Sequence, residues 1–264
     1  MAATITAADV NKLRQQTGAG MMDCRKALVE SDGDFEQAVD YLRKKGQKVA
    51  ALRSDRETKE GVIIAKTAAD GKSGVVVALG CETDFVAKNE DFIKFAQSLV
   101  DLALTSGVNT VEELGAATLD GATVNDKVND QVAKIGEKIT LARFEKISAA
   151  SVTAYIHGNY RMGVLVGFSE AVAEEVGKDV AMQIAAMNPI AVDAAGVSED
   201  LVAREKAIAL EQIAAEGKTG DMAEKIAMGK VNKFFKDNTL LQQAFVKDNN
   251  KSVGDYLKSV SAGL

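Results

Sequence analysis

Few side chains in this 264-residue sequence are equipped for covalent chemistry. His157 is its single histidine, and Cys24 and Cys81 are its two cysteines. That inventory excludes the H-E-x-x-H zinc motif and most histidine-based triads, and it cannot complete a zinc site of four Cys and His ligands. Both cysteines are expected as buried, reduced thiols. The 38 Asp and Glu residues are so numerous that no carboxylate pair stands out as an acid and base. No phosphate loop or dinucleotide fingerprint occurs, because Gly18 and Gly20 lack a third glycine and do not follow a strand. No metal, cofactor or catalytic residue is therefore expected. The remaining candidates are suited to binding. In Thr83-Asp84-Phe85-Val86, a phenylalanine on a short loop gains roughly 1.5–3 kcal/mol by entering an apolar slot. Asp84 either caps the following turn or acts outside the protein. Met21 and Met22 are adaptable side chains of the kind used at binding surfaces, and His157-Gly158 sits in a turn. Each has a plainer alternative: a buried Phe85, methionines packed in a helical core, a solvated histidine.

The elements that must position these residues follow from periodicity. Residues 1–46 predict three short helices. Thr6 with Asp9 forms a capping signal, Thr17-Gly18-Ala19-Gly20 a break built on two left-handed glycines, and Ser31-Asp32-Gly33-Asp34 a second turn. Phe35, Ala38, Val39 and Leu42 recur at helical spacing, with Gly46 as the expected end. Residues 47–60 are polar and aperiodic, a predicted linker. Then the pattern changes to strand (Val62–Ala65), turn (Asp70–Gly74), strand (Val75–Leu79) and a helix from Asn89 to Leu104 with Phe92, Phe95, Ala96, Leu99 and Leu102 inward. The same order recurs as Val152–Ile156, His157–Arg161, Val164–Phe168 and a helix over 171–187. These predict two related α+β subdomains, 61–150 and 151–264, each a small antiparallel sheet with helices. Between them, Val124–Ile135 reads as a helix and Ile139–Ile147 as an added strand. Ser198–Glu216 and Thr219–Phe235 predict a helical hairpin over about 198–235. Val253–Val260 predicts a last helix, capped by Ser252.

Bulk properties narrow the class of partner. A formal net charge of −6 offers no basic surface for nucleic acid, and the basic stretch Arg43–Arg56 is short and interrupted. No apolar stretch reaches the ~20 residues of a membrane span. Met1–Ala8 lacks a basic start followed by an apolar run, so a cytoplasmic protein is expected.

Two stretches carry a resemblance. Leu13-Arg14-Gln15-Gln16-Thr17-Gly18-Ala19-Gly20-Met21-Met22-Asp23-Cys24-Arg25-Lys26-Ala27-Leu28 and Glu82-Thr83-Asp84-Phe85-Val86-Ala87-Lys88-Asn89 resemble the two signatures of the elongation factor Ts family, in its order and approximate spacing. Arg25 stands where many members have lysine, and the chain stops at Leu264, before a further strand that many members carry. The resemblance implies a ubiquitin-associated-like (UBA-like) bundle and a guanine-nucleotide exchange factor for elongation factor Tu in translation elongation. It implies that Thr83, Asp84, Phe85 and Val86 disturb the Mg²⁺ site of Tu, with further contacts from Leu13, Met21, Met22, His157 and Gly158. Whether the chain is a homodimer or part of a heterotetramer with Tu stays open. A UBA-like binding module without exchange activity is the alternative, and an enzyme working in a cleft between the α+β subdomains would need polar residues the sequence does not assemble.

Overall fold

A computed structural model describes residues 4–260. The chain is α+β, with helices and small antiparallel sheets. It divides into two compact units. One takes the chain up to Ala68 with Gly74–Lys146 and Gly158–Gly163; the other takes Ala69–Ser73, Ile147–His157 and the chain from Val164 onward.

The first unit opens with three helices, α1 (Ala7–Thr17), α2 (Met21–Glu30) and α3 (Phe35–Leu52). Thr6 and Asp9 form a full capping box: the Asp9 amide donates to Thr6 Oγ1 and the Thr6 amide to Asp9 Oδ2, satisfying donors that a helix start leaves open. Gly18 ends α1 at φ 68°, the left-handed cap expected. Gly20 does not share that conformation; at φ −60° and ψ 146° it is the extended residue that starts α2. Val10, Leu13, Cys24, Ala27, Leu28, Ala38 and Leu42 form the bundle core, an arrangement that fits a UBA-like fold.

Gly46 does not end the third helix. It is buried in the middle of α3, where a Cβ would lie 2.8 Å from Ala133 Cβ and 3.0 Å from the Asn129 carbonyl. The glycine is there for close approach to α7 (Val124–Ile135), a helix found at its expected bounds. The non-helical connection is accordingly shorter than expected and follows Leu52.

Strands β1 (Glu60–Thr67) and β2 (Ser73–Cys81) pair antiparallel from Glu60↔Cys81 to Thr67↔Gly74, and β5 (Thr140–Ser148) adds beside β2. A single helical turn, α4 (Asp84–Ala87), separates β2 from α5 (Glu90–Thr105). Helix α5 buries Phe92, Ala96, Leu99, Val100 and Ala103, while Phe95 and Leu102 are only half-buried. Helix α6 (Val111–Ala116) and the two-residue strands β3 (Thr118–Leu119) and β4 (Ala122–Thr123) lead into α7.

In the second unit β6 (Ser151–His157) and β7 (Met162–Phe168) form a two-stranded sheet, followed by α8 (Glu174–Met187), which starts three residues later than expected. Helices α9 (Glu199–Ala215) and α10 (Gly220–Asn238) form the hairpin, closed by Ala209, Ile213, Ala223 and Ala227. A short hairpin of β8 (Ala244–Phe245) and β9 (Asp248–Ser252) then leads into α11 (Val253–Val260), which Ser252 and Asp255 cap reciprocally. Phe168, Val176, Val180, Leu240, Phe245, Val253 and Leu257 form this unit's core.

Candidate functional site

Strand β2 is buried along most of its length and delivers the chain to the surface at Glu82. There the backbone is fixed by side chains from elsewhere in the first unit. Glu137, just after α7, accepts from the Glu82 amide at 3.1 Å, the Thr83 amide at 3.0 Å and the Thr83 hydroxyl at 2.7 Å. Glu82 in turn accepts from the Lys138 amide at 2.6 Å, Arg53 at 2.6 Å and Arg56 at 3.2 Å. The Lys138 amide first, then the arginines, hold the Glu82 carboxyl below the usual carboxylate range. Cys81 is buried beneath, its thiol donating to the Thr83 carbonyl at 3.2 Å, and burial pushes that thiol up to about 11. Cys24 and Cys81 are both free and buried, as expected.

Beyond this root the turn projects. Phe85 is 83% exposed, which excludes the buried alternative. Asp84 does not cap the turn through its side chain; it pairs with Lys88 at 2.6 Å, and Lys88, with a smaller contribution from Arg161, holds its carboxyl low. Downstream, the Asn89 side chain accepts from the Asp91 and Phe92 amides and restarts the chain as α5.

Two depressions flank the turn. One, of about 390 Å³, is lined by Phe85, Val86, Phe92, Arg14, Gly20 and Lys134. The other, of about 400 Å³, is lined by Asp84, Lys88, Glu60, Gly158, Asn159 and Arg161. Thr83–Val86 is thus brought beside the start of α2, where Met21 is 52% and Met22 72% exposed, and beside the Gly158 turn. That turn runs through three consecutive left-handed residues, Gly158 at φ 62°, Asn159 at 54° and Tyr160 at 66°. A tyrosine in this region is strained. It is held there by the Ile63 amide, which donates to the Tyr160 carbonyl at 2.8 Å, and by Arg161, which reaches Glu60 at 3.3 Å.

The structure corrects one expected contact. Leu13 is fully buried in the bundle core and has no surface to offer a partner; its role is to hold the bundle together. His157 is exposed at the end of β6, in the second unit, where its Nδ1 lies 2.9 Å from the Tyr155 hydroxyl. Sequence reasoning missed Glu82, Glu137, Arg53 and Arg56 as parts of this site. Glu82 was visible only as the first residue of a signature, and Glu137 is 54 positions from Thr83. Among the described residues, no group of three or more His, Cys, Asp or Glu side chains is placed to hold a metal ion, and no helix is long and apolar enough to cross a membrane.

Comparison with known proteins gives this surface its context. The family profile described as Elongation factor TS matches residues 82–264. Elongation factor Ts of Amoebophilus asiaticus is 52% identical over 263 residues, covering 98% of this chain and 95% of that protein. Those of Flavobacterium psychrophilum and Christiangramia forsetii are 53% and 51% identical, each covering 99% of this chain and 96% of the relative. The protein is a translation elongation factor. Specifically, the chain belongs to the elongation factor Ts family.

Proposed function

We propose that this protein is a guanine-nucleotide exchange factor for elongation factor Tu, acting through Thr83–Val86. The observation that carries this is an aromatic side chain, Phe85, 83% exposed on a turn whose root is clamped by two carboxylates. Exposing a phenylalanine forfeits roughly 1.5–3 kcal/mol of burial, so its natural use is to be buried by something else. On this reading Phe85 enters an apolar slot in the GTPase domain of Tu, with Thr83, Asp84 and Val86 as its setting. The displaced structure carries the Mg²⁺ that bridges the nucleotide phosphates. With phosphate charge poorly compensated, GDP leaves and GTP can bind. Met21 and Met22 dock the bundle on the same partner, and His157 with Gly158 makes a separate contact. No covalent bond is made or broken, and no nucleic acid or membrane takes part.

Linkage constrains the scheme. If the factor weakens GDP binding to Tu by some ratio, GDP weakens factor binding by the same ratio. Exchange therefore runs through a ternary complex that favours neither ligand strongly, and the factor needs no nucleotide site of its own.

The test is release of a fluorescent GDP from Tu against excess unlabelled GDP, with and without this protein. We expect strong acceleration, with Phe85→Ala losing about tenfold to a hundredfold of it. A folded protein that leaves release from a competent Tu unchanged would overturn the exchange function and favour the UBA-like binding module.

A further inference from the structure

We propose that Glu137 is the positioning residue of the exchange turn, holding Phe85 at a fixed angle without touching the partner; this rests on the exchange function proposed above. Helix α4 has four residues, Asp84–Ala87. A helix of one turn cannot sustain itself, because nucleation fixes several residues for one hydrogen bond. Its N-cap residue, Thr83, makes no side-chain bond to it. The Thr83 hydroxyl is committed instead to Glu137 at 2.7 Å, together with the Glu82 and Thr83 amides. The root of the turn is therefore held from outside its own sequence, while the Asp84–Lys88 pair bonds across the turn itself.

Glu137 is well placed to impose it. Gly136, at φ 79°, ends α7 with its amide on the Val132 carbonyl and turns the chain so that residue 137 follows at once. The link is returned, since Glu82 accepts from the Lys138 amide at 2.6 Å. Two carboxylates, each bonded to the backbone of the other's segment, lock the end of β2 to the end of α7. The segment after α3 joins the same knot: Arg53 and Arg56 reach Glu82, and Lys138 Nζ donates to the Ser54 and Arg56 carbonyls at 2.6 and 2.7 Å. With a rigid root, the ordering cost of the turn is met on folding and not on binding.

Glu137→Ala removes three acceptor bonds at once. Glu137→Gln keeps an oxygen for the two amides, and its NH₂ can donate to the Thr83 hydroxyl, so it serves as the conservative variant. Two measurements test the proposal. In the free protein, amide hydrogen exchange over residues 82–88 should rise about tenfold in Glu137→Ala, with the bundle and α5 unchanged. In the GDP-release assay at saturating factor, the maximal rate should fall about tenfold or more, and Glu137→Gln should restore both readouts. Unchanged protection of 82–88, or loosening spread over the whole unit, would overturn the positioning role. So would an unchanged maximal rate where Phe85→Ala is impaired. The hydrogen-exchange arm needs no Tu, so it judges the lock even where the release assay rejects exchange itself.

Discussion

Asp130 sets an unfavourable residue against a favourable neighbourhood. It lies half-buried on α7, and burial pushes its carboxyl above the usual range; Arg43 and Lys127 pull the other way and lose. A raised folded pKa means the carboxyl favours folding only while protonated. Its contribution is present below the unfolded pKa and lost as pH rises through the folded one, so at neutral pH the ionised group is a net cost. We expect Asp130→Asn to raise the melting temperature at pH 7, with the gain closing as pH falls below about 4. Melting curves of both proteins across pH 3–8 check this; a lower melting temperature for the variant at pH 7 would mean that attraction to Arg43 outweighs burial. Phe85 and Leu13 illustrate the same dependence on surroundings. Both are large apolar residues in a signature stretch, yet one is 83% exposed and the other fully buried.

Among the elements, what could be read from the chain depended on how local its cause is. The N-caps at Thr6 and Ser252, the apolar stripe of α3 and the bounds of α7 arise from residues three or four apart, and all were legible. Strands β3, β4 and β8 are two residues long, too short for an alternating pattern, and were not. The lock on the Phe85 turn was hidden for a different reason: Glu137 is one of 38 carboxylates, and nothing within its own stretch marks it. Gly46 was misread because a glycine late in a helical pattern signals an end when only the sequence is in view. Its true cause lies on another helix. In isolation, alanine would favour the helix there by about 1 kcal/mol. Here the new Cβ would meet Ala133 Cβ at 2.8 Å and the Asn129 carbonyl at 3.0 Å. Since one neighbour is backbone, we expect crowding to win and Gly46→Ala to destabilise by about 1–3 kcal/mol. Ala133→Gly in the same chain should recover part of the loss. Chemical denaturation of the single and double variants measures both; a stabilised Gly46→Ala would show that the helices separate at little cost.

Over the whole molecule, titrating groups set the pH range in which the fold persists. Asp9, Glu82, Asp84 and Asp255 all have carboxyls held low by hydrogen bonds, so each adds stability above its ordinary range that is lost as acid protonates it. On the alkaline side, a cluster centred on the buried Asp179 in the second unit acts alongside the Cys24 and Cys81 thiols, which burial also raises. Asp179 on α8 is 6% exposed and accepts from Lys247 and, at 3.1 Å, from the Tyr256 hydroxyl. Tyr256 stacks on Phe245 with ring centroids 4.3 Å apart, so the cluster ties α8 to β8, the turn that follows it and α11. Its hydrogen bond to Asp179 raises the Lys247 ammonium, and burial first, then Asp179, raises the Tyr256 phenol to about 12. Both shifts are upward, so both contributions are complete below the ordinary pKa values and disappear as pH climbs through the raised ones. The window is therefore about pH 10–12. We expect thermal unfolding, followed by circular dichroism because the chain has no tryptophan, to weaken steeply across that window. Asp179→Asn should be less stable at pH 7, having lost the charge that both partners address, and should fall less between pH 10 and 12 than the parent does. Parallel slopes for the two proteins would place the alkaline limb elsewhere and leave the Asp179 cluster as packing alone.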